Sequence, residues 1–250
     1  MTTLLLSASA TEDNQKLWRA AVRSGWKVER IRGLNIPDDL DRDAGIALYV
    51  EALYAPDIAD QLQLTLVEPA TDWLVNLPET YRLRSIQLTT LGKARLCGQP
   101  TFIKPPNDKS FKAMIYASGH DLPDDFDDEM DVLLAEPVEF EYEYRCFVLD
   151  RTVQTLSPYL RKGRLSKLDN YQAPADEMQD ALQFVEQLLA DPDVFLPDAV
   201  VVDVGSIKDR GWAVVEANSV WGSGIYGCNP DKVLEVMQRA FKPSNLKSHD

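Results

Sequence analysis

The sequence predicts a mixed α/β (α+β) protein, and three observations support this class. Residues 3–31 follow the order strand, helix, strand. Residues 199–218 form two apolar, β-branched runs separated by a short polar loop, the pattern of an antiparallel hairpin. Two later segments, 178–189 and 229–241, repeat apolar residues at helical spacing. With 250 residues, the chain is long enough for one large or two small domains.

The first third of the chain alternates strands with a helix. The expected elements are strands at 3–7, 26–31, 46–49 and 63–67 and a helix at 12–24. Leu17, Ala20 and Ala21 give this helix one apolar face, and Gly25 provides its stop. The pattern predicts a small α/β unit at the beginning of the chain.

The rest of the chain is expected to mix connecting segments, strands and helices. The expected elements are a connector at 78–86, a short helix at 89–96, strands at 99–104, 132–135, 141–149 and 153–161, and helices at 178–189 and 229–241. Along the strand at 141–149, one face carries Tyr142, Tyr144, Cys146 and Val148 and the other carries Glu141, Glu143, Arg145 and Phe147. The final helix begins at Asn229 and Pro230, a favourable N-cap and first position.

The predicted hairpin carries the most informative side chains. If Ile207 faces Trp212 across the loop, Asp203 lies opposite Glu216. Asn218 shares the face of Glu216 because side chains alternate along a strand. The other face then holds only apolar side chains, namely Val200, Val202, Val204, Ala213, Val215 and Ala217.

Two carboxylates directly opposite each other destabilise a sheet. A divalent cation would reverse that cost, and hard oxygen ligands suit magnesium bound together with phosphates. The sequence therefore predicts a magnesium site at Asp203, Glu216 and Asn218. The alternative is that each acid lies on a solvated edge or pairs with a nearby Lys or Arg.

These motifs resemble a known family. Asp203 followed by Glu216-Ala-Asn218 resembles the metal-binding end of the ATP-grasp superfamily, in which an acid and a Glu-x-Asn on adjacent strands hold magnesium on ATP. The continuation from Trp221 to Gly227 is similar to a branch of small proteins labelled by a signature of two arginines and a lysine. The resemblance covers roughly residues 88 to 241.

The resemblance implies a domain organisation. It places a small α/β domain at residues 1–87, before an ATP-grasp domain at 88–250. The ATP-grasp fold has two subdomains with antiparallel sheets, expected here at about 88–132 and 133–250.

The resemblance also implies a nucleotide site. Lys104 ends a strand where ATP-grasp enzymes place a lysine against the α- and β-phosphates. The segment from Glu136 to Val138 resembles the linker that holds adenine and ribose. A commonplace lysine before a proline, and an ordinary strand and turn, are the respective alternatives.

Two arginines complete the implied site. Arg145 resembles the residue that contacts the terminal phosphate and the developing acylphosphate, because a planar guanidinium neutralises phosphate through two bonds. Arg161, on the following strand, matches the expected second arginine, with Arg164 close behind. The alternatives are a cross-strand pair between Arg145 and a neighbouring Glu, and a solvated basic cluster around Arg161.

One segment departs from the family pattern. Most ATP-grasp proteins carry a glycine-rich loop after the lysine strand, because backbone N–H groups must approach phosphate oxygens closely. Residues 105–112 contain no glycine. Lys109, Ser110 and Lys112 are the donors that could replace the loop, and Lys112 is the one assigned to nucleotide binding.

Two functions follow from this interpretation. The first is a ligase that uses ATP and Mg²⁺ to activate a small-molecule or peptide carboxylate and join it to an amine or thiol. The second is a nucleotide-binding regulatory or interaction protein without catalysis, which the glycine-free loop favours. The chain lacks a GxxxxGK[ST] motif and the HRD and DFG triplets, which argues against P-loop NTPases and protein kinases.

Composition sets the outer limits. A net charge of −14 argues against nucleic acid or an anionic membrane as a partner. Only two histidines occur, so zinc sites and His-dependent triads are not expected. Three unevenly spaced cysteines, no leader and no long apolar run predict a cytoplasmic protein with reduced thiols. The oligomeric state does not follow from the sequence.

Overall fold

A computed structural model of the chain describes residues 2–42, 44–107 and 110–244. Its first unit is a parallel sheet of three strands in the order β2-β1-β3. The strands are β1 (Thr2–Ser7), β2 (Lys27–Ile31) and β3 (Gly45–Tyr49), and helix α1 (Glu12–Arg23) connects the first two. All six residues of β1 are buried, so this central strand needs cover on both faces. The predicted strand–helix–strand order is confirmed.

Short elements connect this unit to the rest of the chain. They are α2 (Ala55–Gln61), β4 (Leu64–Leu66), α3 (Trp73–Asn76), α4 (Glu79–Arg82), β5 (Ile86–Thr90) and α5 (Leu91–Ala94). The helix predicted at 89–96 is therefore wrong at its start, because Thr89 and Thr90 pair with Val132 and Asp131 in a sheet. The predicted connector at 78–86 includes one helical turn, α4.

An antiparallel sheet of four strands follows, in the order β5-β8-β6-β7. Its further members are β6 (Thr101–Lys104), β7 (Met114–Tyr116) and β8 (Asp131–Ala135). Lys104 lies at the end of β6, as predicted, and pairs with Leu133. Lys109 lies outside the described residues.

The second antiparallel sheet has five strands in the order β11-β10-β9-β12-β13. Its strands are β9 (Phe140–Leu149), β10 (Thr152–Arg161), β11 (Arg164–Leu165), β12 (Ala199–Ile207) and β13 (Gly211–Asn218). Helix α6 (Ala175–Ala190) packs on one face, where the predicted apolar side of β9 joins its core. The other face carries the polar side chains of β9, β12 and β13.

The hairpin of β12 and β13 contains a β-bulge that the sequence does not reveal. Ile207 pairs with Gly211 rather than Trp212, and Val204 pairs with Val214. The next pair is Asp203 with Glu216, so the predicted opposition of the two acids is confirmed. The predicted apolar face is wrong at two places, because Val214 and Trp212 lie in the core beneath the sheet instead of Ala213 and Val215.

The chain ends with α7 (Pro230–Met237) and a short strand β14 (Phe241–Pro243), which pairs with β4. The predicted helix at 229–241 is therefore too long, because Phe241 already belongs to a strand. Residues of α7 pack in the same core as β1, and Gln238 Nε2 donates a hydrogen bond to Thr2 Oγ1 at 2.9 Å. The division of the chain at residues 87 and 88 stays a prediction. Among the described residues, no helix combines the length and apolar character needed to span a bilayer.

Candidate functional site

A buried ion pair lies at the centre of the polar face of the five-stranded sheet. Arg145 on β9 and Asp203 on β12 are cross-strand partners, which places their side chains on the same face. Arg145 donates from Nε to Asp203 Oδ1 at 2.9 Å and from Nη2 to Asp203 Oδ2 at 2.6 Å. The Asp203 side chain is 0% exposed and that of Arg145 is 8% exposed. Burial would lower the pKa of Arg145, but the carboxylate of Asp203 raises it above its ordinary value.

Two tyrosine rings and a carbonyl hold the guanidinium of Arg145. The rings of Tyr159 and Tyr226 stack with centroids 5.0 Å apart, and the guanidinium lies 5.2 and 5.0 Å from their respective centroids. Arg145 Nη1 also donates to the carbonyl of Gly224 at 3.1 Å. Because every part of the guanidinium has a neighbour, its orientation is fixed before any ligand binds.

A second ion pair joins the two sheets. Lys104, at the end of β6, donates from Nζ to Glu216 Oε2 on β13. Asn218 links the pairs, because its Nδ2 donates to Glu216 Oε1 at 3.0 Å and to Asp203 Oδ2 at 3.2 Å. The side chains of Lys104 and Glu216 are 13% and 27% exposed. Burial alone would raise the pKa of Glu216, but the charge of Lys104 and the bond from Asn218 outweigh it and lower this pKa to about 2.

A cavity of about 540 Å³ opens beside this second pair. Its lining includes Lys104, Glu216 and Asn218 from the two sheets and Lys112 from the segment after β6. Four of the residues predicted from the sequence therefore meet at one cavity. Its walls combine amine and carboxylate groups, which is the chemistry needed to hold phosphates and a cation together.

The donors at the cavity fit magnesium. Glu216 and Asn218 supply carboxylate and amide oxygens, the hard ligands that Mg²⁺ prefers when it also binds phosphates. Asp203 lies behind them with both oxygens bound by Arg145. Among the described residues, no group of three His, Cys, Asp or Glu side chains could hold a metal by itself. A cation at this cavity would therefore depend on the amide of Asn218 and on oxygens from the ligand.

The structure does not bring Arg161 to this cluster. Arg161 is 37% exposed, donates to Glu177 Oε1 of α6 at 2.7 Å and lies over the ring of Tyr142, on the opposite face of the sheet from Arg145. The reason is a second bulge, between Pro158 and Leu160, that shifts the register of β10. Strict alternation would have kept Arg161 on the face of Arg145.

The linker residues lie at the opposite end of β8 from the pairing position of Lys104. Glu136 follows Ala135 at the end of this strand, is partly exposed and accepts from Arg210 Nη2 at 2.6 Å. Val138 is partly buried in the following turn. Neither residue lines the cavity beside Glu216.

Sequence reasoning missed one acid and two aromatic side chains as neighbours of Arg145 in the site. Glu143 shares the face of Arg145 and accepts a hydrogen bond from the hydroxyl of Tyr159 at 2.7 Å. Burial raises the pKa of Glu143 to about 7, although the bond from Tyr159 acts in the opposite direction. The alternation along β9 places Glu143 on this face, but nothing in the sequence indicates that Tyr159 and Tyr226 converge there.

Comparisons with solved structures show the fold. An ATP-grasp RimK domain protein from Sphaerobacter thermophilus DSM 20745 is 13% identical, with a TM-score of 0.57 over 95% of this chain and 99% of that one. A macrocyclase from Microcystis aeruginosa MRC, solved with its precursor peptide, is 10% identical, with a TM-score of 0.53 over 95% and 99%. D-alanine–D-alanine ligase from Bacillus anthracis, solved with ATP, is 14% identical, with a TM-score of 0.52 over 96% of each chain.

A comparison with curated protein sequences found no match. A family model does match: residues 81–236 fit the ATP-grasp domain model for family 2 of the clade labelled by two arginines and a lysine. This range covers more than half of the chain and contains both antiparallel sheets and both ion pairs. The chain has the ATP-grasp fold and belongs to the ATP-grasp family, in family 2 of this two-arginine, one-lysine clade.

Proposed function

We propose that this protein is an ATP-grasp ligase. It uses Mg-ATP to convert a carboxylate into an acylphosphate, joins that carboxylate to an amine or thiol, and releases ADP and phosphate. The observation that carries the proposal is the meeting of Lys104, Glu216 and Asn218 at one cavity, with Arg145 and Asp203 directly behind them.

The two ion pairs have a charge balance that Mg-ATP can replace. In the ligand-free protein, one cation neutralises each acid. A nucleotide brings phosphate anions for Lys104 and Arg145, and its metal brings positive charge for Glu216 and Asp203. Binding therefore exchanges partners and leaves no buried charge uncompensated, which avoids the cost of an unpaired ion.

Each residue has a distinct role in this proposal. Lys104 and Lys112 bind phosphate oxygens from the cavity wall, and Glu136 with Val138 holds the adenosine end. Arg145 neutralises the phosphoryl group that is transferred, because its fork can bind two oxygens at once. Arg161 stays a candidate for contact with the substrate, although it lies on the other face of the sheet.

Magnesium would be held by Glu216, Asn218 and Asp203, and it would supply positive charge between the outer phosphates. The chain's own residues position the phosphates and exclude water from the buried side of the site. Such chemistry depends on charge neutralisation and orientation more than on a protein base. This agrees with a cluster that contains no histidine.

The substrate is a small molecule or a peptide that carries a carboxylate, and its partner carries an amine or thiol. Similar folds occur in a ligase for D-alanine and in a macrocyclase with a precursor peptide, which supports both substrate sizes. We infer a cytoplasmic site of action, in agreement with three free cysteines among the described residues.

Product analysis tests the reaction class. Protein incubated with Mg-ATP and pools of carboxylates and amines should release ADP and phosphate, and added hydroxylamine should trap the acylphosphate as a hydroxamate. Glu216→Gln is the matched control, because it removes a metal ligand and keeps the shape of the side chain. Formation of AMP and pyrophosphate would contradict the mechanism.

A nucleotide-binding protein without catalysis is the second candidate. The segment 105–112 after Lys104 has no glycine, so its backbone cannot approach phosphates as the usual loop does. Tight Mg-ATP binding without any product from broad substrate pools would favour this candidate over the ligase.

A further inference from the structure

One buried arginine outside the cavity contacts the strand that carries Glu216. Arg84 lies between α4 and β5 and is 8% exposed. Its Nη1 donates to the carbonyl of Val214 at 2.7 Å, and its Nη2 donates to the carbonyl of Val215 at 3.0 Å. Nη1 also donates to the carbonyl of Arg82 at 3.0 Å. The guanidinium therefore connects the start of the first antiparallel sheet to two successive peptide groups of β13.

These two peptide groups belong to the bulge of the hairpin. Val204 pairs with Val214, but the next pair is Asp203 with Glu216, so Val215 is the extra residue. A regular register would place Asp203 opposite Val215 and Glu216 opposite Val202. Because a shift of one residue reverses every side chain, Glu216 would then point into the apolar core that contains Val202. The bulge is what puts Glu216 beside Lys104.

The chemistry of arginine suits this task. Strand β13 is the edge of its sheet, and the outward carbonyls of an edge strand have no partner in the sheet. A buried carbonyl without a donor costs free energy, and a planar guanidinium can serve two adjacent carbonyls at once. Burial lowers the pKa of Arg84 to about 10, so the side chain still carries its charge at neutral pH.

We propose that Arg84 is a positioning residue that fixes the Val214–Val215 bulge and thereby holds Glu216 in the site. The proposal rests on the proposed function only for the statement that Glu216 binds the metal of Mg-nucleotide. Its structural part, the dependence of Glu216's placement on Arg84, stands independently of any reaction.

Two variants separate the fork from the charge. Arg84→Lys keeps the positive charge but cannot serve both carbonyls, and Arg84→Gln keeps a single planar donor group. The matched control is Arg151→Lys, because Arg151 likewise binds three backbone carbonyls, those of Leu189, Asp191 and Val194, away from the site. A role in general stability would affect both positions alike, whereas positioning affects only Arg84.

Calorimetry of ADP binding, with and without Mg²⁺, measures the effect without any turnover. We expect Arg84→Lys and Arg84→Gln to weaken Mg-ADP by about tenfold or more, as loss of support around a metal site does, and to leave metal-free ADP unchanged. Arg151→Lys should leave both unchanged. In a double-mutant cycle, Arg84→Lys should have no further effect in a Glu216→Gln background, because the two residues act through one position.

The outcomes are distinct. Equal weakening of ADP with and without Mg²⁺, additive effects in the cycle, or Arg84 variants that fail to fold while Arg151→Lys folds would each overturn the positioning role. If the wild-type protein shows no magnesium-dependent binding, the proposed function fails, and a crystal structure of ligand-free Arg84→Lys decides the inference alone. Glu216 displaced from Lys104 and Asn218 supports it, and Glu216 in its original place refutes it.

Discussion

The two ion pairs of the five-stranded sheet differ in their surroundings. Arg145 and Asp203 are almost completely buried, and each oxygen of the carboxylate accepts from the guanidinium. Lys104 and Glu216 face a cavity, and the lysine comes from the other sheet. The inner pair has no room to change partners without moving neighbours, whereas the outer pair can be opened by a ligand. Burial therefore separates a pair that maintains the site from a pair that a nucleotide can exchange.

The largest expected effect is on stability, from the inner pair. Asp203→Ala should lower the free energy of unfolding by about 3–5 kcal/mol, because Arg145 would remain buried and charged without a partner. Chemical denaturation measures this change. The combined variant Arg145→Met with Asp203→Leu should recover most of the loss, since it removes both charges. A loss below about 1 kcal/mol for Asp203→Ala, the range of exposed pairs, would contradict the distinction.

The outer pair should affect binding more than stability. Lys104→Ala should weaken ATP and ADP alike by about 1.5–3 kcal/mol, because it removes a charge-assisted contact to the inner phosphates. Glu216→Gln should weaken only the magnesium-dependent part. Calorimetry with and without Mg²⁺ separates the two effects. Unchanged Mg-ATP affinity in Glu216→Gln would remove Glu216 from the metal site.

The two glutamates near these pairs should give opposite pH dependences of stability. The pKa of Glu143 is raised to about 7, so its contribution is present below pH 4.5 and is lost as pH rises to about 7. The pKa of Glu216 is lowered to about 2, so its contribution is present above pH 4.5 and is lost as pH falls towards 2. Because Glu143 is partly exposed, we expect it to change stability by about 1–2 kcal/mol.

Glu143→Gln isolates this effect, since the amide keeps the shape of the side chain and does not titrate. Thermal unfolding between pH 5 and 8 should show a smaller decrease for the variant than for the wild type. Parallel curves for the two proteins would mean that Glu143 titrates near its ordinary pKa in the fold.

The smallest effect is expected at Arg161. Its pair with Glu177 is partly exposed and lies on the other face of the sheet, so Arg161→Ala should cost about 0–1 kcal/mol of stability and leave nucleotide affinity unchanged. Unfolding and calorimetry measure both quantities. Loss of turnover with normal nucleotide binding would instead support the assignment of Arg161 to the site from the sequence.

The sequence predicted the site best where its pattern is local. Alternation along β9 placed Arg145 and Glu143 on one face correctly, because no bulge interrupts that part of the pattern. The opposition of Asp203 and Glu216 was also correct, although the assumed register was not. The structure uses a shorter loop, and the bulge at Val215 compensates for it.

The errors arise where tertiary contacts override local pattern. A bulge beside Pro158 moves Arg161 to the other face, since proline cannot donate to the sheet ladder and favours such irregularities. The role of Arg84 was not predictable, because its partners are backbone carbonyls 130 and 131 positions later in the chain. Strand β5 was mistaken in part for a helix, because only pairing with β8 makes it a strand.

The core beneath the first sheet is completed by residues near the other end of the described chain. Leu4, Leu5 and Leu6 share it with Val233 and Met237 of helix α7, and the bond between Gln238 and Thr2 spans 236 positions. During synthesis the strands of this sheet leave the ribosome first, but their apolar partners are made last. The first sheet therefore completes its packing late, and until then its leucines are surface that chaperones must cover.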